Sequence, residues 1–164
     1  MINNRNVYLS KIYKINMAQK IIPPQEKPVD EKGYFEILSK AVFNAGFSYQ
    51  VVRTKWEGIK EVFNDFDPEI LSNWTNDEIF DALESPKIIR NGKKVKAIVS
   101  NAKVFLELIE KNGSFENYLE SFRNKCYEDK QQIIAKQFKW LGPTGAHFFL
   151  WSIGEDAPPC EALM

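Results

Sequence analysis

The chain has 164 residues, of which 44% are hydrophobic and 27% charged, and its 22 basic residues balance its 22 acidic ones. This length suits one domain with a core of its own, and the composition excludes a disordered chain. No apolar run approaches the roughly 20 residues that cross a bilayer, and the polar N-terminus lacks the apolar stretch of a signal peptide. Cys126 and Cys160 are far apart and lack a CxxC spacing, which is typical of a reducing compartment. We therefore expect a cytoplasmic protein with no membrane partner.

The beginning of the chain differs from the rest. Residues 1–32 carry few apolar anchors and include IIPPQEKPVD, which predicts an extended N-terminal arm. Residues 33–164 form the predicted helical domain. From Tyr34, apolar residues recur at helical spacing as far as Gly46, a predicted C-cap. Ser48 is placed to cap a second helix.

Capping signals mark the following helices. Asp67 precedes Pro68 at a helix start, and Thr75 stands three residues before Glu78, which is the spacing of a capping box. A long helix follows the basic turn near residue 90 and ends at Asn112-Gly113, after which Ser114 caps another helix. Residues 128–138 and 143–153 complete the pattern. Because no segment alternates with period two, we predict an all-α fold of seven to nine short helices.

Charge is unevenly distributed along the chain. Nine acids and a single base, Lys60, lie between Glu57 and Glu84. The next charged residues are all basic: Lys87, Arg90, Lys93, Lys94 and Lys96. A basic face of this kind suits contacts with phosphate. A solvated, lysine-rich turn explains the same pattern equally well.

The segment FKWLGPTGA, residues 138–146, is the most informative motif. A tight turn holds Gly142, and Pro143 starts the next helix with its φ already fixed. The backbone N–H groups at such a helix start form an anion site. A glycine turn between two core helices is the alternative interpretation.

The motif resembles the helix-hairpin-helix element of DNA glycosylases, with Trp140 in place of its usual first glycine. Further clusters are similar to the 3-methyladenine DNA glycosylase I family over residues 34–154: Phe35-Glu36, Ala45-Gly46-x-Ser48, Phe66-Asp67-Pro68, Ile88-Ile89-Arg90 and Ala97-Ile98-x-x-Asn101-Ala102. The resemblance implies that the all-α domain has a helix-hairpin-helix DNA glycosylase-like fold. It also implies a phosphate contact that positions DNA without reading its sequence. The residues expected to contact DNA are Lys139, Leu141, Gly142, Thr144, Gly145, Arg90, Lys93 and Lys94.

The resemblance also shows departures at functional positions. The family's base-pocket glutamate aligns with Ala41, and a pocket tryptophan aligns with Tyr49. The family's zinc ligands are two cysteines and two histidines, whereas this chain has a single histidine, His147, and its cysteines lie elsewhere. We therefore expect no metal and no cofactor, and we expect His147 to be a packed or phosphate-near residue.

The expected base pocket consists of Tyr49, Phe47 and Trp56, although aromatic residues at this spacing are also typical of a core. An alkylated purine is cationic and is attracted to aromatic faces. Most helix-hairpin-helix glycosylases place an aspartate about twenty residues beyond the hairpin's second glycine, and the resemblance to them implies a carboxylate there. Glu161 is the nearest match and Asp156 the alternative catalytic candidate, unless both belong to a frayed C-terminus.

These features predict a monofunctional DNA-3-methyladenine-type glycosylase, a hydrolase of base excision repair. Its partner would be double-stranded DNA carrying an alkylated base, and we expect a monomer. The alternative is a non-catalytic DNA-binding relative, which the missing glutamate favours. A helical protein-interaction module is a third class, against which the hairpin argues.

Overall fold

The computed structural model describes residues 23–158, and this part of the chain contains eight α-helices, one 3-10 turn and no β-strand. The predicted all-α fold is confirmed. Glu161 and residues 1–22 lie outside the described residues. No helix in the described part is long and apolar enough to cross a membrane.

The helices follow one another with short connections. Their bounds are α1 Glu31–Asn44, α2 Tyr49–Val62, the 3-10 turn Asn64–Phe66, α3 Pro68–Ser72, α4 Asn76–Glu84, α5 Gly92–Asn112, α6 Phe115–Glu120, α7 Tyr127–Gln137 and α8 Pro143–Ser152. The longest helix, α5, packs against α3, α4, α6 and α1, and α1 also packs against α8.

Side-chain caps explain where most of these helices begin. Asp67 accepts from the backbone of α3, Ser114 caps α6, and Thr75 forms the full capping box with Glu78, as the sequence predicts. Asp30 caps α1 by accepting from Gly33 at 2.7 Å. This cap starts α1 at Glu31, three residues earlier than the sequence pattern indicates and across the expected arm boundary. Ser48 precedes α2 but makes no side-chain capping bond.

The core is rich in aromatic rings. Phe115 packs against the rings of Phe105, Phe138 and Phe149 with centroid separations of 4.3, 6.3 and 6.2 Å. Burial of such rings is a dominant contribution to folding. Phe115 therefore joins α5, α6, α8 and the turn that precedes α8 around one centre.

The part of the predicted arm that the structure describes is hydrogen-bonded to the last helix, α8. Trp151 Nε1 donates to the Pro23 carbonyl at 2.8 Å, and the Glu26 N–H donates to the Ser152 carbonyl at 2.8 Å. Gln25 Nε2 donates to the Trp151 carbonyl at 3.2 Å. Residues 23–26 thus lie against the C-terminal end of α8.

Candidate functional site

The hairpin connects α7 to α8 through residues 138–142. Phe138 and Leu141 are buried and anchor the turn in the core, whereas Trp140 between them is 47% exposed. Trp140 has a φ of 58°, in the left-handed region that favours glycine. This is the position where the helix-hairpin-helix pattern has its first glycine, so the backbone keeps the motif's conformation while the side chain departs from it.

The side chain of Asn101, on α5, is hydrogen-bonded to the backbone of the turn between α7 and α8. Its side chain is 1% exposed. Its Nδ2 donates to the Lys139 carbonyl at 3.0 Å, and its Oδ1 accepts from the Lys139 N–H at 2.7 Å. The buried Asn101 amide therefore pairs with both the backbone N–H and the backbone carbonyl of Lys139, as a neighbouring β-strand would. This pairing fixes the residue directly before Trp140.

Gly142 and Gly145 have different reasons to be glycine. Gly142 has an ordinary φ of −72°, and an added Cβ would meet no atom within 4 Å. An added Cβ at Gly145 would lie 2.9 Å from Leu141 Cδ1. Packing inside the hairpin explains Gly145, but neither backbone conformation nor internal packing explains Gly142. Two physical reasons for a glycine remain: it is a favoured N-cap residue, and it lets a ligand approach the backbone closely.

The start of α8 has no side-chain cap. Gly142 is its N-cap residue and offers no side chain to the first-turn amides, and Gly142, Pro143 and Thr144 are exposed. Orphan amides at a helix N-terminus favour an anion, and the helix dipole adds to the attraction. The open Gly142 leaves room for an anionic group to reach them.

A basic stripe leads from the start of α5 to this turn. The stripe consists of three exposed lysines on one face of α5, Lys93, Lys96 and Lys103, and of Lys139, whose Nζ donates to Ser100 Oγ at 3.5 Å. Positions 93, 96, 100 and 103 fall within about 80° of arc at 100° per residue. Within residues 23–158, none of the four lysines forms a salt bridge. Between residues 93 and 103 this face carries no acid, whereas the exposed Glu107 lies on the same arc one turn beyond Lys103. The acid-free part suits contacts with a phosphate backbone.

Two residues of the predicted basic segment behave differently from the expectation. Lys94 is 1% exposed, and its ammonium donates to the carbonyls of Phe43, at 3.1 Å, and Ala45. The predicted phosphate contact by Lys94 is therefore wrong, because its charge satisfies the open C-terminal end of α1. Arg90 is exposed and donates to the Glu84 carbonyl at 3.3 Å, so part of its donor capacity is used within the fold.

Lys94 also orders the loop between α1 and α2. Its Nζ lies 4.1 Å from the centre of the Phe47 ring, a cation–π contact. Burial lowers the pKa of the Lys94 ammonium to about 8. Phe47 is partly exposed, and Tyr49, at the start of α2, packs its ring 6.1 Å from that of Phe148 on α8. The structure thus places two of the three expected pocket aromatics close together in the chain, Phe47 in the loop and Tyr49 at the first position of α2.

Trp56 is not a pocket residue. It is 5% exposed, stacks on Phe66 at 5.0 Å, and donates its Nε1–H to Glu36 at 2.9 Å. The prediction of Trp56 as a base-stacking residue is therefore wrong. Helical spacing puts Trp56 on the inner face of α2, where it completes the core beside the 3-10 turn.

The α1 surface near this loop contains an unusual polar group. Ala41 lies against the first turn of α8, with its carbonyl 3.8 Å from the Cβ that would be added at Gly145. One turn further along α1, Asn44 Oδ1 and Nδ2 are both buried, and neither has a hydrogen-bond partner in the described structure. Unsatisfied buried amides are rare and costly. They are typical of functional sites rather than of core packing.

Comparison with known proteins identifies the family to which this hairpin-containing chain is similar. A model of the methyladenine glycosylase family matches residues 26–146. The chain belongs to this family. Two curated relatives are DNA-3-methyladenine glycosylase of Haemophilus influenzae, 32% identical over 95 residues, and DNA-3-methyladenine glycosylase 1 of Escherichia coli, 28% identical over 95 residues. The matched region is 58% of this chain and 51% of each relative, so the chain spans about half the length of the curated relatives it matches.

Solved structures of the methyladenine glycosylase family share the fold. A crystal structure of a mutant of 3-methyladenine DNA glycosylase I from Staphylococcus aureus has a TM-score of 0.71 at 27% identity, covering 84% of this chain and 87% of that one. A second structure, on 3-methyladenine recognition by the S. aureus enzyme, has a TM-score of 0.71 at 25% identity, covering 88% and 89%. The suspected family resemblance is therefore confirmed.

Asp156 lies away from the hairpin of this methyladenine glycosylase family member. It lines a cavity of about 530 Å³ with Lys27, Tyr34, Arg123, Lys130, Ile153, Gly154 and Glu155. Tyr34 is at the N-terminal end of α1, whereas Phe47 and Tyr49 follow its C-terminal end, about 15 Å along the helix axis. Asp156 is therefore beside the opposite end of α1 from the pocket aromatics. The nearby Glu155 pairs with Arg123 at 3.2 Å.

His147 is a packed residue of α8. It is 1% exposed, and its Nδ1 forms a hydrogen bond with the Tyr127 hydroxyl. Among residues 23–158, no group of three or more histidine, cysteine or acidic side chains is placed to hold a metal ion. The expectation of no metal remains a prediction for the whole chain.

Proposed function

We propose that this chain is a DNA glycosylase of base excision repair that hydrolyses the N-glycosidic bond of alkylated purines such as 3-methyladenine in double-stranded DNA. The observation that carries the proposal is the hairpin of a methyladenine glycosylase family member, in which Gly142 leaves the first-turn amides of α8 open beside the basic stripe. We expect the protein to act as a cytoplasmic monomer without a cofactor.

The phosphate contact would come from backbone rather than from side chains. The amides of Thr144 and Gly145 would donate to one phosphate at Gly142, and Lys139 would add a charge. Contacts of this kind position DNA without reading its sequence. They hold the duplex while the damaged base leaves the stack.

The flipped base would enter beside Phe47 and Tyr49. A cationic alkylated purine is attracted to their aromatic faces. Asn44 lies one turn beyond Ala41, the position where the family has its pocket glutamate, and its amide offers one donor and one acceptor to a purine edge. Because Asn44 has no internal partner to give up, pairing with a base would satisfy the amide at no cost in protein hydrogen bonds.

The hydrolysis needs little acid catalysis. The bond between C1′ and the base breaks with its electron pair going to the cationic base, which leaves neutral. Water then forms the new C1′–O bond and loses a proton to a carboxylate. We propose Glu161 for this carboxylate, because Asp156 lies beside the far end of α1; Asp156 is the alternative.

The second candidate function is a non-catalytic DNA-binding relative. Ala41 favours it, since the family's pocket glutamate is missing there. Purified protein incubated with methylated duplex DNA and assayed for released bases separates the two. Release of 3-methyladenine supports the glycosylase. Salt-sensitive binding without release supports the relative, and no binding at low salt contradicts both.

Three variants assign the pocket chemistry. Glu161→Gln should abolish release while DNA binding is retained, and Asp156→Asn should release bases at the wild-type rate. The reverse result assigns the carboxylate to Asp156. Asn44→Leu should reduce release of alkylated bases and raise the free energy of unfolding, because the unsatisfied amide is removed. If Glu161→Gln and Asp156→Asn both release bases at the wild-type rate, neither carboxylate acts in the reaction.

A further inference from the structure

Trp140 is the most conspicuous residue of the hairpin that the proposed function leaves without a role. Its side chain is 47% exposed, and its φ of 58° is strongly disfavoured for a bulky residue. A left-handed backbone is unfavourable for a residue other than glycine, because Cβ comes too close to the following carbonyl oxygen. Glycine at position 140 would remove this cost, so the protein tolerates a strained tryptophan at the tip of its phosphate contact.

The strain is imposed by a buried neighbour rather than by the indole's own packing. Asn101 bonds both polar groups of Lys139, and Phe138 and Leu141 are buried on either side. These three neighbours hold the backbone at position 140 through contacts that do not involve the Trp140 side chain. Within the described residues the indole makes no aromatic or cation–π contact and no hydrogen bond. The turn therefore directs a large, flat and unengaged ring outward.

The ring lies next to both phosphate-contact features. Lys139 precedes Trp140 in the chain and belongs to the basic stripe, and Gly142, with its open approach, follows two residues later. DNA seated on the amides of α8 would pass directly over position 140. Strain kept at such a position is typical of functional sites.

We propose that Trp140 is a DNA-contact residue whose indole packs on the deoxyribose next to the phosphate held at Gly142, with its Nε1–H directed to a phosphate oxygen. Asn101 is the positioning residue that holds Trp140 in this orientation. The proposal rests on the proposed DNA-binding function of the hairpin. It adds a hydrophobic, salt-insensitive component to a contact that is otherwise electrostatic.

The test compares two substitutions that separate the ring from the backbone strain. Trp140→Ala and Trp140→Gly both remove the indole, but only glycine relieves the positive φ. Both variants should bind methylated duplex DNA about tenfold more weakly than the wild type, equivalent to about 1.4 kcal/mol. Trp140→Gly should nevertheless unfold at a higher temperature than Trp140→Ala. Phe80→Ala, which removes a 63% exposed ring on α4, is the matched control and should bind like the wild type.

Fluorescence gives an independent readout of the contact. Trp140 is the most exposed of the four tryptophans, so DNA should change the emission of the wild type, and the change should disappear in Trp140→Phe. Wild-type affinity in both Trp140→Ala and Trp140→Gly overturns the proposal while leaving DNA binding intact. Weak binding by Trp140→Gly alone assigns the loss to backbone freedom and also overturns it. A wild-type protein that does not bind DNA overturns the proposed function together with this inference.

Discussion

Trp140 has the backbone conformation that suits glycine, whereas Gly142, two residues later, has one that suits any residue. Trp140 has a φ of 58°, which favours glycine, and Gly142 has a φ of −72°, which any residue adopts. Backbone conformation therefore explains neither residue. The proposed DNA contact, in which a phosphate approaches Gly142 and a deoxyribose packs against Trp140, would explain both.

Gly142→Ala should separate stability from binding. The alanine fits the observed backbone and meets no neighbouring atom. The free energy of unfolding should therefore change by less than about 1 kcal/mol, because the stiffer unfolded chain and the weaker N-cap preference of alanine act in opposite directions. Affinity for duplex DNA should fall about tenfold or more, because a charge-assisted contact of about 1.5–3 kcal/mol is obstructed. Gly145→Ala is the contrasting variant: its Cβ would meet Leu141, so chemical denaturation should show a loss of stability. Unchanged DNA affinity in Gly142→Ala would contradict the phosphate contact.

Asn101→Ala should loosen the hairpin. Two hydrogen bonds to Lys139 are removed and their partners are partly buried, so we expect a decrease of about 1–3 kcal/mol in unfolding free energy. DNA affinity measured well below the melting temperature should fall as well. Asn117→Ala removes one exposed bond to the Asn112 carbonyl and should leave affinity unchanged. If Asn101→Ala binds DNA normally, the buried amide has only a structural role.

The basic stripe should determine the salt dependence of DNA binding. Replacement of Lys96, Lys103 or Lys139 by glutamine should reduce the slope of log affinity against log salt by about 0.9 for each phosphate that is no longer neutralised. The decrease in affinity should be alike for all sequences. Lys125→Gln, just before the start of α7 and remote from the hairpin, should leave the slope unchanged. A sequence-dependent effect would mean that these lysines read bases.

Lys94 should make stability depend on alkaline pH. Its folded pKa, about 8, lies below the ordinary value of 10.5, so the unfolded chain binds more protons between these two values. Stability from this group therefore increases as the pH rises from about 8 to 10.5 and is lost as the pH falls through 8. Urea denaturation at pH 7.5 and pH 10 should show that the free energy of unfolding of the wild type increases relative to that of Lys94→Met over this interval. A constant difference between the two proteins would show that Lys94 titrates normally when folded.

The sequence supported the fold more securely than the side-chain roles. The capping residues Asp67, Thr75 and Ser114 are local signals, and each begins a helix as predicted. The hairpin was recognisable because Gly142 and Pro143 are adjacent in the chain. The roles of Trp56 and Lys94 differ from the prediction because a cluster of aromatic or basic residues in the sequence does not show which side chains face inward, and both are buried.

Three functional features required the structure. Asn101 is 38 residues from the backbone that it holds, and no local pattern indicates this pairing. The left-handed conformation of Trp140 was hidden because its residue type argues against it. Lys103 was overlooked because it lies beyond the local basic cluster, although its spacing from Lys96 places it on the same face of α5.

Asn101 joins the hairpin to the middle of the longest helix, and Lys93 lies eight residues earlier on that same helix. At 1.5 Å per residue the two points are about 12 Å apart, which corresponds to three or four nucleotides along one DNA strand at about 3.4 Å each. In the proposed complex one rigid helix would therefore set the length of the DNA footprint. DNA whose phosphate spacing is altered by sharp bending would be out of register with one end of this helix.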